Sequence, residues 1–172
     1  DKWHDLESSG DVFTDGSCDQ NCFKDLRRAA WSFVAMDLGG KQAYTVMCTV
    51  PSSQLQTPQT AEYGAIAGLA SWATGNVAAW SDCLGVVNAW NHWTSMWHCR
   101  NRAHAGLIAE ARRAKPNHIQ SLDWVKAHQD DSTPVELLPL EAQLNVIADA
   151  DVTAFRINTP PSLTPTATPI QF

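Results

Sequence analysis

The strongest constraint in this chain is a change of period. Before residue 51 the apolar residues come in short β-rich runs, and from Thr60 onward helical spacing takes over and alternates with strands. Residues 11–15 (Asp-Val-Phe-Thr-Asp) read as a short strand that runs out at Gly16-Ser17. Residues 29–36 read as a second strand. After the Gly39-Gly40 turn, residues 42–50 read as a third, closed by Pro51. These three predict an antiparallel meander. Thr60 can cap a helix on which Glu62, Ile66, Leu69 and Ala73 share one face up to Gly75. Residues 76–81 then read as a buried strand, 83–93 and 102–115 as helices, and 119–127 as a fifth strand. Thr133-Pro134-Val135-Glu136 reads as a capping box that opens a last helix through Leu140, Leu144, Ile147 and Phe155. The order β-β-β-α-β-α-α-β-α predicts an α/β fold: a mixed five-stranded sheet with helices on its faces.

The 172 residues are one domain's worth of chain, and 44% hydrophobic against 17% charged residues excludes global disorder. The folded unit is expected at 10–157, between a polar segment at 1–9 and a tail at 158–172. That tail carries no charge and four prolines (Pro160, Pro161, Pro165, Pro169), so it reads as an extended linker. No apolar run approaches the ~18 residues of a membrane span, so no membrane partner is expected. The first residues, Asp1 to Asp5, are no signal peptide, and without an initiator Met the chain is expected to be a piece of something longer. Five irregularly spaced cysteines fit a reduced, intracellular protein. The net charge of −6 argues against a non-specific nucleic-acid coat.

The acids carry the chemistry. Asp15 falls where the first strand ends, Glu62 on the sheet-facing stripe of the first helix, Asp82 at the end of the fourth strand, and Asp149 and Asp151 on the last helix. A carboxylate on a buried stripe costs several kcal/mol unless it is paired. Converging carboxylates repel unless divalent cations neutralise them, and an all-oxygen set suits Mg²⁺ or Mn²⁺ rather than zinc. Taken singly, each acid is more often a solvated strand end or a helix-dipole charge.

Five short words occur in register with these elements: Thr14-Asp15-Gly16-Ser17, Gln59-Thr60-Ala61-Glu62, Trp80-Ser81-Asp82, Trp124-Val125-Lys126-Ala127-His128 and Asn145-Val146-Ile147-Ala148-Asp149. Over residues 10–156 the chain resembles the ribonuclease H family, particularly the domains attached to reverse transcriptases of retroelements. The resemblance implies a ribonuclease H-like fold, three antiparallel strands followed by parallel ones. It implies that Asp15, Glu62, Asp82 and Asp149 hold two Mg²⁺ ions, with Mn²⁺ as a substitute, and that the domain cuts the RNA strand of an RNA/DNA hybrid. His128 would assist proton transfer or product departure. Gly16, Ser17 and Gln59 would contact the substrate in the minor groove, where 2′-hydroxyls mark the RNA. Neighbouring polymerase or other domains of a larger polypeptide are the implied protein partners. Helical periodicity alone puts Asp151, not Asp149, amid the apolar face of Leu144, Ile147, Ala148 and Phe155, so Asp151 stays open as the fourth ligand.

Several features stand beside that pattern. Arg100, Arg102, Arg112, Arg113 and Lys115 form a basic cluster that either grips phosphates or is a solvated helix face. Trp90, Trp93 and Trp97 have the spacing of a helix burying aromatics. Cys18, Cys22, His98 and Cys99 make a poor zinc set. The loop between His128 and Asn145 is long and holds Asp130 and Asp131. The rival readings are a nuclease or transposase of the same fold and a non-catalytic nucleic-acid-binding or scaffold module. The first is disfavoured by Ser17 where a DEDD-type exonuclease has glutamate, the second by four filled acid positions.

Overall fold

The sheet is built outward from β1 (Asp11–Cys18), in a computed structural model that describes residues 10–19, 27–36, 43–73, 76–92, 104–114, 119–159 and 166–169. On one side β1 pairs antiparallel with β2 (Ala29–Met36), which pairs antiparallel with β3 (Ala43–Thr49). On its other side it pairs parallel with β4 (Val77–Ser81), and β4 pairs parallel with β5 (Ile119–Trp124). The mixed five-stranded sheet read from the sequence is therefore present. A sixth strand, β6 (Thr166–Pro169), lies antiparallel to β3 and completes the order β5-β4-β1-β2-β3-β6. β6 comes from the stretch read as a linker-like tail. Local composition carries no signal for it, because its backbone hydrogen bonds are supplied by Tyr44–Met47, more than a hundred residues earlier.

Among the described residues four helices cover the faces: α1 (Pro58–Trp72), α2 (Leu84–Asn91), α3 (Ala105–Ala114) and α4 (Leu140–Asn158). Three local readings are corrected. α1 is capped by Thr57, whose side chain accepts from the Thr60 N–H, with Pro58 in the first turn, so Glu62 sits in the second turn rather than the first. Thr133-Pro134-Val135-Glu136 leads only into a 3-10 turn, Val135–Leu137, and α4 starts afresh after Pro139. Proline disfavours helical backbone at the residue before it, so Leu138 breaks the run. The first strand does not run out at Asp15: β2 carries it on through Gly16↔Trp31, Ser17↔Ala30 and Cys18↔Ala29.

One face of the sheet buries Val12, Phe33 and Val46 against Ala61, Ala65, Ile66 and Leu69 of α1. Trp31 fits there because α1 offers glycine twice, one turn apart. A Cβ on Gly68 would stand 2.5 Å from the Trp31 ring, and one on Gly64 2.8 Å away. On the opposite face Phe13 and Val34 pack against Leu144 and Ala148 of α4. Each fully buried large side chain, such as Phe13, Ile66, Leu69 and Leu122, contributes roughly 1.5–3 kcal/mol. No helix among the described residues is long and apolar enough to cross a membrane.

The topology leaves a notch. β4 pairs with β1 only as far as Thr14↔Ser81, while β1 continues for four more residues with β2 alone. Beyond that point the two parallel strands part, at their carboxyl ends, which is where open α/β sheets bind ligands.

Candidate active site

Asp15 is the first residue of β1 past the β4 pairing, and its side chain is 4% exposed. By strand alternation it shares the α4 face with Phe13 and Ser17. Gly16 next to it has no side chain, and α1 closes onto it: a Cβ there would lie 2.5 Å from the Glu62 backbone nitrogen. That gap lets Glu62, from the α1 face, reach the same spot. Asp82 follows directly on the last residue of β4. Ligand oxygens of Asp15, Glu62 and Asp82 lie within 4.8 Å of one another. Together with Gly16, His128, Asp130, Asn145, Val146 and Asp149 they line one cavity of about 150 Å³.

The electrostatics of this cavity are unfavourable as it stands. Burial pushes the Asp15 carboxyl up to about 8, helped by the charges of Asp82 and Asp149 and by a side-chain contact with Asp149. Burial also holds Glu62 well above its ordinary value, reinforced by Asp15, Asp82 and Cys83. For both, the opposing influence is the Gly16 backbone N–H. Asp82 is raised by burial as well, with His128 acting against the rise. Asp15 Oδ2 and Glu62 Oε2 are buried without a hydrogen-bond partner. Unpaired carboxylate oxygens converging in a buried pocket fit an oxygen-liganded divalent cation, which supplies the missing partner and the missing charge.

Proton linkage follows with a definite sign. A carboxyl whose pKa is higher folded than unfolded favours folding below the unfolded value, and that contribution is lost as pH rises through the folded value. For Asp15 the window runs from about 4 to about 8, and Glu62 and Asp82 act in the same direction. The metal-free chain is therefore expected to lose thermal stability across this range, and Mn²⁺ to raise the melting midpoint far more at pH 8 than at pH 5. Thermal scans at both pH values check this; an equal Mn²⁺ effect at both would contradict it.

The two candidates on α4 part company. Asp149 is exposed and borders the cavity. Asp151 accepts a hydrogen bond from Thr45 Oγ1 at 2.6 Å, against β3. The periodicity that put Asp151 over the sheet is thus satisfied by Thr45 and not by the acidic cavity. His128 sits at the cavity wall, exposed, in the left-handed backbone region (φ 51°). Ser17 is tied up elsewhere: its hydroxyl shares a hydrogen bond with Thr153 and accepts from Arg156 Nε. Gln59 lies exposed on the first turn of α1, outside the cavity lining. Gln56 instead braces the β2–α1 region, accepting from Ala29 N–H and donating to the Pro51 carbonyl.

Sequence reasoning did not single out Asn145 or Asp130 as cavity residues. For Asn145 the signal was available, since it precedes Asp149 by four residues and so shares its helix face. Of the basic cluster, Arg100, Arg102 and Lys115 lie outside the described residues. Arg112 lies 4.2 Å over the Trp90 ring and donates to the Trp90 carbonyl. Trp90 is buried, as core packing predicts, and Trp93 and Trp97 lie outside the described residues. So do Cys22, His98 and Cys99, while Cys18 donates its thiol to the Asp19 and Gln56 carbonyls.

A sequence model of the RNase H family matches residues 7–153. No curated protein matches the chain. Among solved structures, the chain resembles the protease-reverse transcriptase of prototype foamy virus at 20% identity and a TM-score of 0.62, over 87% of its own length but only 21% of that protein's. It resembles LC9-RNase H1, a type 1 RNase H with the type 2 active-site motif, at 15% identity and a TM-score of 0.64, covering 92% of this chain and 76% of that one. It also resembles LC11-RNase H1, solved in complex with an RNA/DNA hybrid, at 15% identity and a TM-score of 0.54, covering 84% and 94%. At these identities the structural likeness establishes the fold.

Proposed function

The chain belongs to the ribonuclease H family, and from that premise we propose that it is a metal-dependent endonuclease that hydrolyses the RNA strand of RNA/DNA hybrids. The observation that carries this reading is the convergence of Asp15, Glu62 and Asp82 with unpaired buried oxygens, next to Asp149 and His128. A relative solved with an RNA/DNA hybrid supports the substrate class.

Asp15, Glu62, Asp82 and Asp149 would hold two Mg²⁺ ions, or Mn²⁺ in their place. Such a pair supplies charge neutralisation at the scissile phosphate and a water acidic enough to attack at neutral pH. The chain's own part is positioning. Asp15 and Glu62 are buried where β1 meets α1, and Asp82 stands at the end of β4. Asp149 closes the set from the solvent side. His128, exposed in the cavity wall, would assist proton transfer or product departure. Gly16 and Ser17 would meet the minor groove through their backbone, since the Ser17 hydroxyl is engaged with Thr153 and Arg156. Gln59, exposed at the start of α1, would reach the 2′-hydroxyls with its amide.

We place the domain in a retroelement-type reverse transcriptase polypeptide, intracellular, with neighbouring polymerase domains supplying affinity for the hybrid. The likeness to the protease-reverse transcriptase of prototype foamy virus supports this. The test uses labelled RNA/DNA hybrid, duplex RNA and duplex DNA with Mg²⁺, Mn²⁺ or EDTA. Cleavage of hybrid RNA alone, abolished by EDTA, is the expected result. Tight hybrid binding with no cleavage under either metal would instead make the chain a binding module.

A further inference from the structure

Asp149 reaches the cavity from α4, on the side of the sheet opposite α1. It is exposed; it touches the Asp15 carboxyl, but the two repel once both are ionised, and the charge of Asp82 adds to that repulsion. Its position relative to Asp15 therefore depends on how α4 is fastened to the sheet. The apolar cluster of Phe13, Val34, Leu144 and Ala148 holds α4 against the sheet, and directional contacts add to the register that this packing sets. A directional contact lies at the right place. Ser32, fully buried, is the cross-strand partner of Asp15 in the β1–β2 ladder. Its hydroxyl donates to the Ala148 carbonyl at 3.2 Å, one residue before Asp149. A buried hydroxyl on the strand beside Asp15 thus grips the backbone beside Asp149. The Thr45–Asp151 bond repeats the attachment three residues further along α4.

We propose that Ser32 is a positioning residue for the metal-holding set, fixing Asp149 of α4 at its distance from Asp15 through the Ser32–Ala148 hydrogen bond. This rests on the reading of Asp15 and Asp149 as cation ligands. Ser32 touches neither substrate nor ion. Its loss loosens a spacing without removing a ligand, so it acts on metal affinity more than on the rate once metal is bound.

The experiment uses the whole chain as wild type, Ser32→Ala, Ser32→Cys and Val46→Ala. Val46 is buried on the α1 face, away from α4, and controls for general loosening of the core. Mn²⁺ binding is followed by calorimetry without substrate, and hybrid cleavage as a function of Mn²⁺. For Ser32→Ala the half-saturating Mn²⁺ is expected to rise about tenfold, with the rate at saturating metal close to wild type. Ser32→Cys, a weaker donor of similar size, is expected between the two. Val46→Ala should keep wild-type Mn²⁺ affinity despite a lower melting midpoint. Wild-type affinity in both Ser32 variants, or an equal shift in Val46→Ala, overturns the positioning role alone. A wild-type chain that neither binds Mn²⁺ nor cleaves hybrid overturns the reading of the site beneath it.

Discussion

Asp15→Asn is expected to lower hybrid cleavage by roughly a thousandfold or more while making the metal-free chain harder to unfold. Both effects have one cause. The Asp15 carboxylate is buried beside Asp82 and Asp149, with one oxygen unpaired. Without a cation that arrangement is a burden on the fold; under the proposed reading, a bound cation would turn it into binding energy. An amide keeps the shape, removes the charge, and offers a cation one neutral oxygen in place of an anionic one. The stability gain should follow pH. At pH 4 the wild-type carboxyl is largely protonated, so the variant and the wild type should melt close together. At pH 8 the unfolded carboxyl is fully ionised while the folded one still resists ionisation, which costs the wild-type fold on the order of several kcal/mol at most, and the variant should melt higher by about 5 °C or more. Added Mn²⁺ should reverse the order by stabilising the wild type alone. The measurements are metal-free and Mn²⁺-loaded thermal scans at the two pH values and a hybrid cleavage rate. An Asp15→Asn protein that cleaves within tenfold of wild type would remove Asp15 from the chemistry. One that melts lower than wild type at pH 8 would mean its carboxylate has a stabilising partner.

The sequence carried some parts of this arrangement openly and hid others, for identifiable reasons. The strand and helix order was legible because each element is long enough to show its period, and Asp82 was legible because it directly follows a short apolar run. The length of β1 was not. Gly16 and Ser17 look like a turn in isolation, and only pairing with Trp31 and Ala30, which is non-local, makes them strand. The same applies to β6, whose partner is β3. The start of α4 was misplaced because Thr133 to Glu136 satisfies a local capping pattern that the following Leu138-Pro139 overrides. On α4, periodicity read Asp151 correctly as a sheet-facing residue. It had no means of foreseeing that Thr45 would be there to receive it, leaving Asp149 to face the acids. The meeting of acids from opposite faces of the sheet depends on one residue without a side chain, and nothing in the local pattern marks Gly16 as that residue.

Gly16→Ala tests that dependence and is expected to damage both stability and activity. The added Cβ would stand 2.5 Å from the Glu62 nitrogen, 2.8 Å from the Ala61 carbonyl carbon and 2.9 Å from the Ala61 Cβ. Two of these three are backbone atoms in the second turn of α1, so no rotamer change relieves the contact. Either α1 moves away from β1 or β1 bends toward the notch. The first opens the packing of Ala61 and Ala65, fully buried on this face. Overpacking of this kind costs about 1–3 kcal/mol, and the upper end applies where rigid elements meet. The chemistry should suffer more than the fold. α1 carries Glu62, and the shift needed to restore an ordinary contact is close to 1 Å, a displacement worth roughly a hundredfold in rate. Gly10→Ala is the comparison, since nothing lies within 4 Å of a Cβ there. It should unfold within about 0.5 kcal/mol of wild type and cleave normally. Denaturant unfolding and cleavage at saturating Mn²⁺ measure the two effects. A Gly16→Ala chain as stable and active as the Gly10 variant would mean that α1 does not press on β1 at Gly16, and the route by which Glu62 reaches Asp15 would have to be a different one.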